Sequence, residues 1–378
     1  MPRDALRLLG VLLLSACACG AAPPPMATVK IGGTAYVRAT DVAGRLGLRL
    51  RWQAYDRLVL ADARDTIEAP APGAVDSKEI SINGLKVWLG DPVVGRSGQV
   101  YFSRIDYERR LIPLLRPDLA GPPPGRPHVI ALDPGHGGSD AGTENRRLGL
   151  MEKTFTLDVA LRLQKLLTQA GYQVVMTRTA DLRSRDKLEL IQRAEIANLA
   201  HADLFLSIHF NAGATASDST SHGTEVYTFP PEHQRSTASW GEKEDDSEPN
   251  RKFPGRYPAN RFDGWSAVFA RTMQQELHGR LGTEDRGERL RHLGVLRALN
   301  CPGILVESAF LTNDPEARRV AAPAFRQQIA EAMLAGIRAY AAELDSLRPP
   351  VPAAPALSPP PAQGVAAQKP LLPPQRPQ

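Results

Sequence analysis

The chain has 378 residues, 42% of them hydrophobic, so it can bury a core and is long enough for two or three domains of about 100–200 residues each. Its three cysteines exclude a disulfide framework. Its net charge of +5 suits an anionic polymer or an anionic membrane surface without choosing between them.

Arg3 and Arg7 precede a short apolar run, Leu8 to Leu14. A bilayer takes about 20 residues to cross, so residues 1–16 read as a secretory signal peptide rather than a span. The run closes on Leu14-Ser15-Ala16-Cys17, which resembles a bacterial lipobox and implies lipidation of Cys17. Ordinary cleavage near Ala16-Cys17-Ala18 is the alternative. Both place the protein in the bacterial cell envelope, on its periplasmic or extracytoplasmic side. Contact with the membrane is expected through the lipid anchor alone.

Residues 17–26, rich in Gly, Ala and Pro, read as a tether. Residues 27–116 hold short alternating runs such as Arg57-Leu58-Val59-Leu60 and Glu79-Ile80-Ser81-Ile82, punctuated by Gly32-Gly33, Asn83-Gly84 and Ser97-Gly98. A helix is expected over Ala39–Gly47. This is a small β-rich accessory domain. The run INGLKVWLGDPVVGRSGQVYF resembles the copper amine oxidase N-terminal-like domain. That resemblance implies no copper, because the region has no cluster of His, Cys or Met.

Residues 117–127, ending in Pro122-Pro123-Pro124-Gly125-Arg126-Pro127, read as a stiff linker. Over 128–347, strand runs alternate with helix signals at Phe155–Ala170, Ser184–Leu199 (Ser184 as N-cap), Trp265–Leu281, after Asp314-Pro315, and from Phe325 to Leu347. The expected fold class is α/β, a mostly parallel twisted sheet flanked by helices, preceded by the β-rich domain. Residues 230–264 interrupt the rhythm with a polar, proline-bearing stretch and an acidic cluster at 242–248, and read as a surface insertion. The Pro/Ala-rich residues 348–378 read as a disordered tail.

Three strand runs of this region end on metal- or proton-handling residues. Val129–Leu132 leads into Asp133-Pro134-Gly135-His136, Leu204–Ile208 ends at His209, and Ile304–Val306 ends at Glu307. Glu152 opens an amphipathic run between the first two. In parallel sheets, functional groups gather beyond the carboxyl ends of the strands. His136, Glu152 and His209 make a His₂Glu donor set, which suits a catalytic zinc with one position left for water. Glu307 is the candidate proton carrier, and Asp133 and Asp140 are candidates to orient the ligands. Gly135, Gly137 and Gly138 would give the backbone its sharp turn near His136. Asn211 could bond a substrate carbonyl or glycan. Glu225 and Arg286 could shape a substrate groove, and a structural salt-bridging role is an equal reading for both. His128, His201, His222, His233, His278 and His292 read as ordinary loop or core residues, as does Cys301.

The motifs DPGHGGSDAG, EK at Glu152-Lys153, SIHFNA, GTEVY, DRG and LVESAFLTN, in that order, resemble the zinc-dependent N-acetylmuramoyl-L-alanine amidases of the amidase 3 type. The resemblance covers about residues 128–343. It implies one Zn²⁺ on His136, Glu152 and His209, with Glu307 as the catalytic carboxylate. It implies peptidoglycan as substrate, cut between the lactyl group of N-acetylmuramic acid and L-alanine of the stem peptide, and no nucleic acid partner. The family commonly has glycine where Ala309 stands. Some members carry a helical insertion that covers the zinc until an activator protein removes it. Residues 230–264 sit at a comparable place, but their proline-rich polar sequence makes a poor helix. Two rival readings are a catalytically silent wall-binding protein and a zinc peptidase acting within stem peptides.

Overall fold

The computed structural model describes residues 26–53, 56–71, 78–183, 185–214, 219–237 and 256–348. The signal peptide, Cys17, Ser184, the acidic cluster of 242–248 and residues 349–378 lie outside the described residues. Among the described residues, no helix is long and apolar enough to cross a membrane.

The first part of the chain forms β1 (Val29–Ile31), β2 (Thr34–Arg38), α1 (Ala39–Leu46), β3 (Arg49–Gln53), β4 (Arg57–Ala61), β5 (Thr66–Pro70), β6 (Glu79–Ile82), β7 (Leu85–Trp88), β8 (Val94–Arg96) and β9 (Gln99–Ser103). Its hairpins follow from local chemistry. Asn83 (φ 52°) and Gly84 (φ 84°) join β6 to β7, and Ser97 (φ 50°) and Gly98 (φ 71°) join β8 to β9. Two left-handed residues in succession are what a tight hairpin turn requires. A helical segment over 104–115 follows, with the Ser103 hydroxyl accepting from Asp106 N.

The second part carries β10 (Val129–Pro134), β11 (Glu144–Asn145), β12 (Leu150–Met151), α2 (Glu152–Gln169), β13 (Gln173–Met176), α3 (Leu190–Leu199), β14 (Leu204–Asn211), β15 (Thr224–Thr228), α4 (Asp263–Leu281), β16 (Asp285–Leu290), α5 (Gly294–Arg297), β17 (Gly303–Phe310), α6 (Asp314–Ala321) and α7 (Pro323–Ser346). β13, β10, β14 and β17 are parallel neighbours. β15 lies antiparallel to β17 and parallel to β16. The expected α/β class is the observed one.

Side chains alternate between the two faces of a strand. Ile130, Leu132, Leu204, Leu206, Ile208, Ile304 and Val306 pack in one core cluster with α2, α4 and α7. Ala131, Phe205, Tyr227 and Leu305 pack in another with residues of α3 and α5. By the same alternation His209, Asn211, Glu307 and Glu225 share the second face, which is covered by shorter helices.

Three expectations are revised. His209 and Glu307 do not end their strands: β14 runs on to Asn211 and β17 to Phe310, with a register shift between His209 and Asn211. The helix expected from Ser184 begins at Leu190, after Glu189, whose backbone N–H is capped by Gln192 Oε1 at 2.9 Å. The linker 117–127 connects the two parts without bounding the sheet. β7 pairs in parallel with β16 through Val87 and Glu288, so β7, β6, β5, β4 and β3 continue the sheet begun by β13. Pairing between strands some 200 residues apart leaves no trace in local periodicity.

Candidate active site

The parallel strands β10, β14 and β17 bring three chain segments to one rim. His136 follows β10 by two residues and has φ 62°, a left-handed conformation that is strained for a residue with a Cβ. Glu152 is the first residue of α2 and 3% exposed at its side chain. Its Oε2 lies 3.1 Å from His136 Nε2 and its Oε1 2.9 Å from His209 Nδ1. The backbone fixes the carboxylate too: Thr143 N donates to Oε2 at 2.7 Å and Phe210 N to Oε1 at 3.0 Å. Burial alone would raise the Glu152 pKa, but its contacts with both histidines hold it far below the usual carboxylate range. One ligand atom from each of His136, Glu152 and His209 lies within 4.8 Å of the others. Two imidazole nitrogens and a carboxylate oxygen at that spacing fit a divalent metal such as zinc.

The space around these groups is held open by glycine. A Cβ at Gly142 (φ 69°) would come within 2.6 Å of Glu152 Oε2 and 2.7 Å of His136 Cδ2. A Cβ at Gly135 would run into the His209 ring.

Of the groups that carry the His136 turn, Asp133 was visible in the sequence and the two arginines, Arg178 and Arg193, were not. Asp133 is buried and takes hydrogen bonds from Thr177 Oγ1 (2.6 Å), Ser207 Oγ (2.7 Å) and Arg193 Nη1 (2.7 Å). Arg193 also donates to the carbonyls of Pro134 (3.0 Å) and His136 (2.9 Å). Arg178 donates to those of Pro134 (3.0 Å) and Gly135 (2.8 Å). Two buried guanidiniums thus hold the turn by its carbonyls. Burial, with Arg193 beside it, pushes Arg178 down to about 10. Asp133 therefore acts on the His136 backbone through Arg193. Asp140 meets the imidazole itself, with Oδ1 3.0 Å from His136 Nδ1. Lys153 ties the glycine turn to Asp181, reaching Gly138 O and Asp181 Oδ2 at 2.9 Å each.

Glu307 stands opposite His209 across β14 and β17, and opposite Glu225 across β17 and β15. Its Oε2 is buried and has no hydrogen-bond partner among the described residues. Burial, and then the charges of Glu152 and Glu225, push its pKa well above the ordinary 4.5, with Arg291 opposing them.

Asn211, Glu225 and Arg286 form one network. Glu225 Oε2 accepts from Asn211 Nδ2 at 3.0 Å and from the Tyr227 hydroxyl, and Oε1 accepts from Arg286 Nε at 2.6 Å. Glu225 is fully buried, whereas Arg286 keeps 20% of its side chain exposed. A cavity of about 310 Å³ opens against His136 and His209, walled by Leu188, Leu190, Leu293, Val295 and Leu305.

The fold is α/β, and three donor side chains meet at a spacing that fits a metal ion. The model of the N-acetylmuramoyl-L-alanine amidase family matches residues 130–339, more than half of the 378, and the chain belongs to that family. It is similar to N-acetylmuramoyl-L-alanine amidase AmiC of Escherichia coli, 33% identical over 60% of this chain and 57% of the relative. It is also similar to AmiC of Neisseria meningitidis, at 34% over 57% and 53% respectively. The germination-specific N-acetylmuramoyl-L-alanine amidase of Bacillus subtilis is 30% identical over 57% of this chain and 80% of its own length. The chain thus spans little more than half the length of the two AmiC relatives. A solved amidase structure from Clostridium difficile 630 is 30% identical, covering 59% of this chain and 99% of its own, with TM-score 0.46.

Proposed function

We propose that the chain is a zinc-dependent hydrolase of peptidoglycan that cuts the amide between the lactyl group of N-acetylmuramic acid and L-alanine of the stem peptide. The observation that carries this reading is the meeting of His136, Glu152 and His209 within 4.8 Å, with Glu307 in register beside His209. His136, Glu152 and His209 are the residues that would hold the ion. Zinc bound there supplies a Lewis acid that lowers the pKa of water toward about 7.

The remaining work falls to side chains of the chain. An amide nitrogen departs only when protonated, so one group must take the proton of the attacking water and return a proton to the leaving amine. Glu307 is that group: its Oε2 is uncommitted and its proton affinity is raised by burial. Glu152, pinned by two backbone N–H groups, keeps the donor set in place. Leu188, Leu190, Leu293, Val295 and Leu305 give the cavity beside the histidines an apolar side, between the charged groups Lys187, Glu189 and Arg193. Of the three expected groove residues, Glu225 is buried while Asn211 and Arg286 are half-buried, and of these two Arg286 carries the charge to meet a substrate carboxylate. Glu225 orients it, and Asn211 is held by the same carboxylate.

The same reading places the protein in the bacterial envelope, anchored through Cys17. The test is digestion of isolated sacculi by purified protein, with and without a chelator, read by mass spectrometry. Free stem peptides beginning at L-alanine, abolished by chelation and restored by zinc, are expected. Cleavage between amino acids would instead make it a peptidase, and no release at full zinc content would leave a silent wall-binding protein.

A further inference from the structure

We infer that strand β7 and Arg110 are a positioning element of the active site, fixing β16 so that Arg286 and Arg289 hold the Glu225 carboxylate beside Glu307. For its kinetic arm this rests on the amidase reading above.

The contacts run along most of β16. Asp285 Oδ2 accepts from Lys86 N at 2.7 Å, and the Arg286 carbonyl accepts from Trp88 Nε1 at 3.1 Å. The Arg289 guanidinium lies over the Trp88 ring at 4.4 Å. Gly287 (φ 94°) has no room for a side chain, since a Cβ would stand 2.9 Å from Lys86 Cβ and 3.0 Å from Trp88 Cδ1. So close an approach marks a fitted joint. Glu288 is 1% exposed and meets Arg110, 2% exposed, at 3.0 Å. Arg110 also reaches Thr228 of β15, where Nη1 donates to Oγ1 at 3.4 Å. The element therefore grips both strands that carry the Glu225 network.

From there the path to the reacting groups is short. Arg286 Nε bonds Glu225 Oε1 at 2.6 Å and Arg289 Nε stands 3.6 Å from the same oxygen. Glu225 is the cross-strand partner of Glu307. A displacement of about 1 Å at reacting groups costs up to about 100-fold in rate. The family match begins at residue 130, so β7 and Arg110 lie outside it.

Trp88→Phe keeps the ring beneath Arg289 and loses only the bond to the Arg286 carbonyl, whereas Trp88→Leu loses both. Trp88→Met, whose unbranched chain adapts better to an irregular gap, serves if Trp88→Leu does not fold. The full-length zinc-loaded variants are compared for kcat and KM on soluble muropeptide, and for hydrogen exchange over residues 224–228. The expected result for the ringless variants is a kcat about tenfold lower with KM within about twofold, zinc content unchanged and faster exchange in β15. Trp88→Phe is expected within about threefold of the parent on both readouts. A folded ringless variant with parental kcat and parental exchange in β15 would overturn the inference. So would a kcat that returns to the parental value at lower temperature, which marks lost stability alone. If the parent protein releases no stem peptide at full zinc content, the amidase reading fails, and exchange over 224–228 alone decides the positioning.

Discussion

His209 and Glu307 face each other directly across β14 and β17, and Glu225 faces Glu307 from β15. A candidate metal ligand, a candidate proton carrier and an arginine-held carboxylate therefore form one row on one face of the sheet. Directly opposite residues have Cβ atoms about 4.5–5.5 Å apart, so their electrostatics are shared. Burial first, then the charge of Glu152 and that of Glu225 in this row, make Glu307 hold a proton more tightly than an ordinary glutamate.

The first consequence concerns Glu307. Glu307→Gln keeps the shape and removes the proton carrier. Zinc content should stay at the parental level while turnover on muropeptides falls by about 10²–10⁴, the usual weight of general acid–base catalysis. Parental turnover in a zinc-loaded variant would remove Glu307 from the mechanism.

Gly142→Ala should act on the metal site without touching a ligand. The new methyl meets Glu152 Oε2 and His136 Cδ2, on a backbone with φ 69°. Misplacing an orienting contact costs about 10–100-fold in metal affinity. Competition with a graded chelator measures this directly, and an unchanged affinity would show that the turn yields more easily than the geometry implies.

The Asp133–Arg193 pair gives a stability prediction. Both side chains are buried, at 1% and 4% exposed. Breaking such a pair leaves an uncompensated charge and costs about 3–5 kcal/mol. Arg193→Leu should therefore lower the denaturation midpoint strongly, and Asp133→Asn similarly. Urea titration checks both.

The same pair sets a pH dependence. Burial alone would raise Asp133, but Arg193 and the hydroxyls of Thr177 and Ser207 hold it below the ordinary 3.8. Burial would likewise raise Glu225, which Arg289 and Arg286 hold below 4.5. In both, the folded protein favours the carboxylate more than the unfolded chain does. The stability they contribute is complete above those ordinary values and is lost as pH falls through the depressed folded ones. Melting curves from pH 6 to pH 3 should show the loss below about pH 4.5, and Asp133→Asn should flatten it.

Much of this was legible before any coordinates. The runs of β10, β14 and β17 stand out because both faces of those strands are buried, so their apolar residues are continuous. His136, Glu152, His209 and Glu307 were visible because each adjoins such a run or opens the helix after one. The ends of β14 and β17 were misread because polar residues there continue the ladder while facing the site. Arg178 and Arg193 were missed for a different reason. Each sits in an unremarkable local pattern, and its partner carbonyls lie some 40–60 residues earlier in the chain. The junction of β7 with β16 escaped for the same cause, and with it the link between residues 27–116 and the site. Glu225 and Arg286 were each open to a salt-bridging role in the sequence, but that they bridge to one another, 61 residues apart, shows only in the fold.

The account rests on three side chains gripping one ion. Elemental analysis of the purified protein, beside its His136→Ala and Glu152→Gln variants, tests it most directly. One zinc per chain is predicted for the parent and near-complete loss for each variant, with folding retained by circular dichroism. A parent that takes up no zinc after incubation with excess metal, or folded variants that keep the full complement, would contradict it.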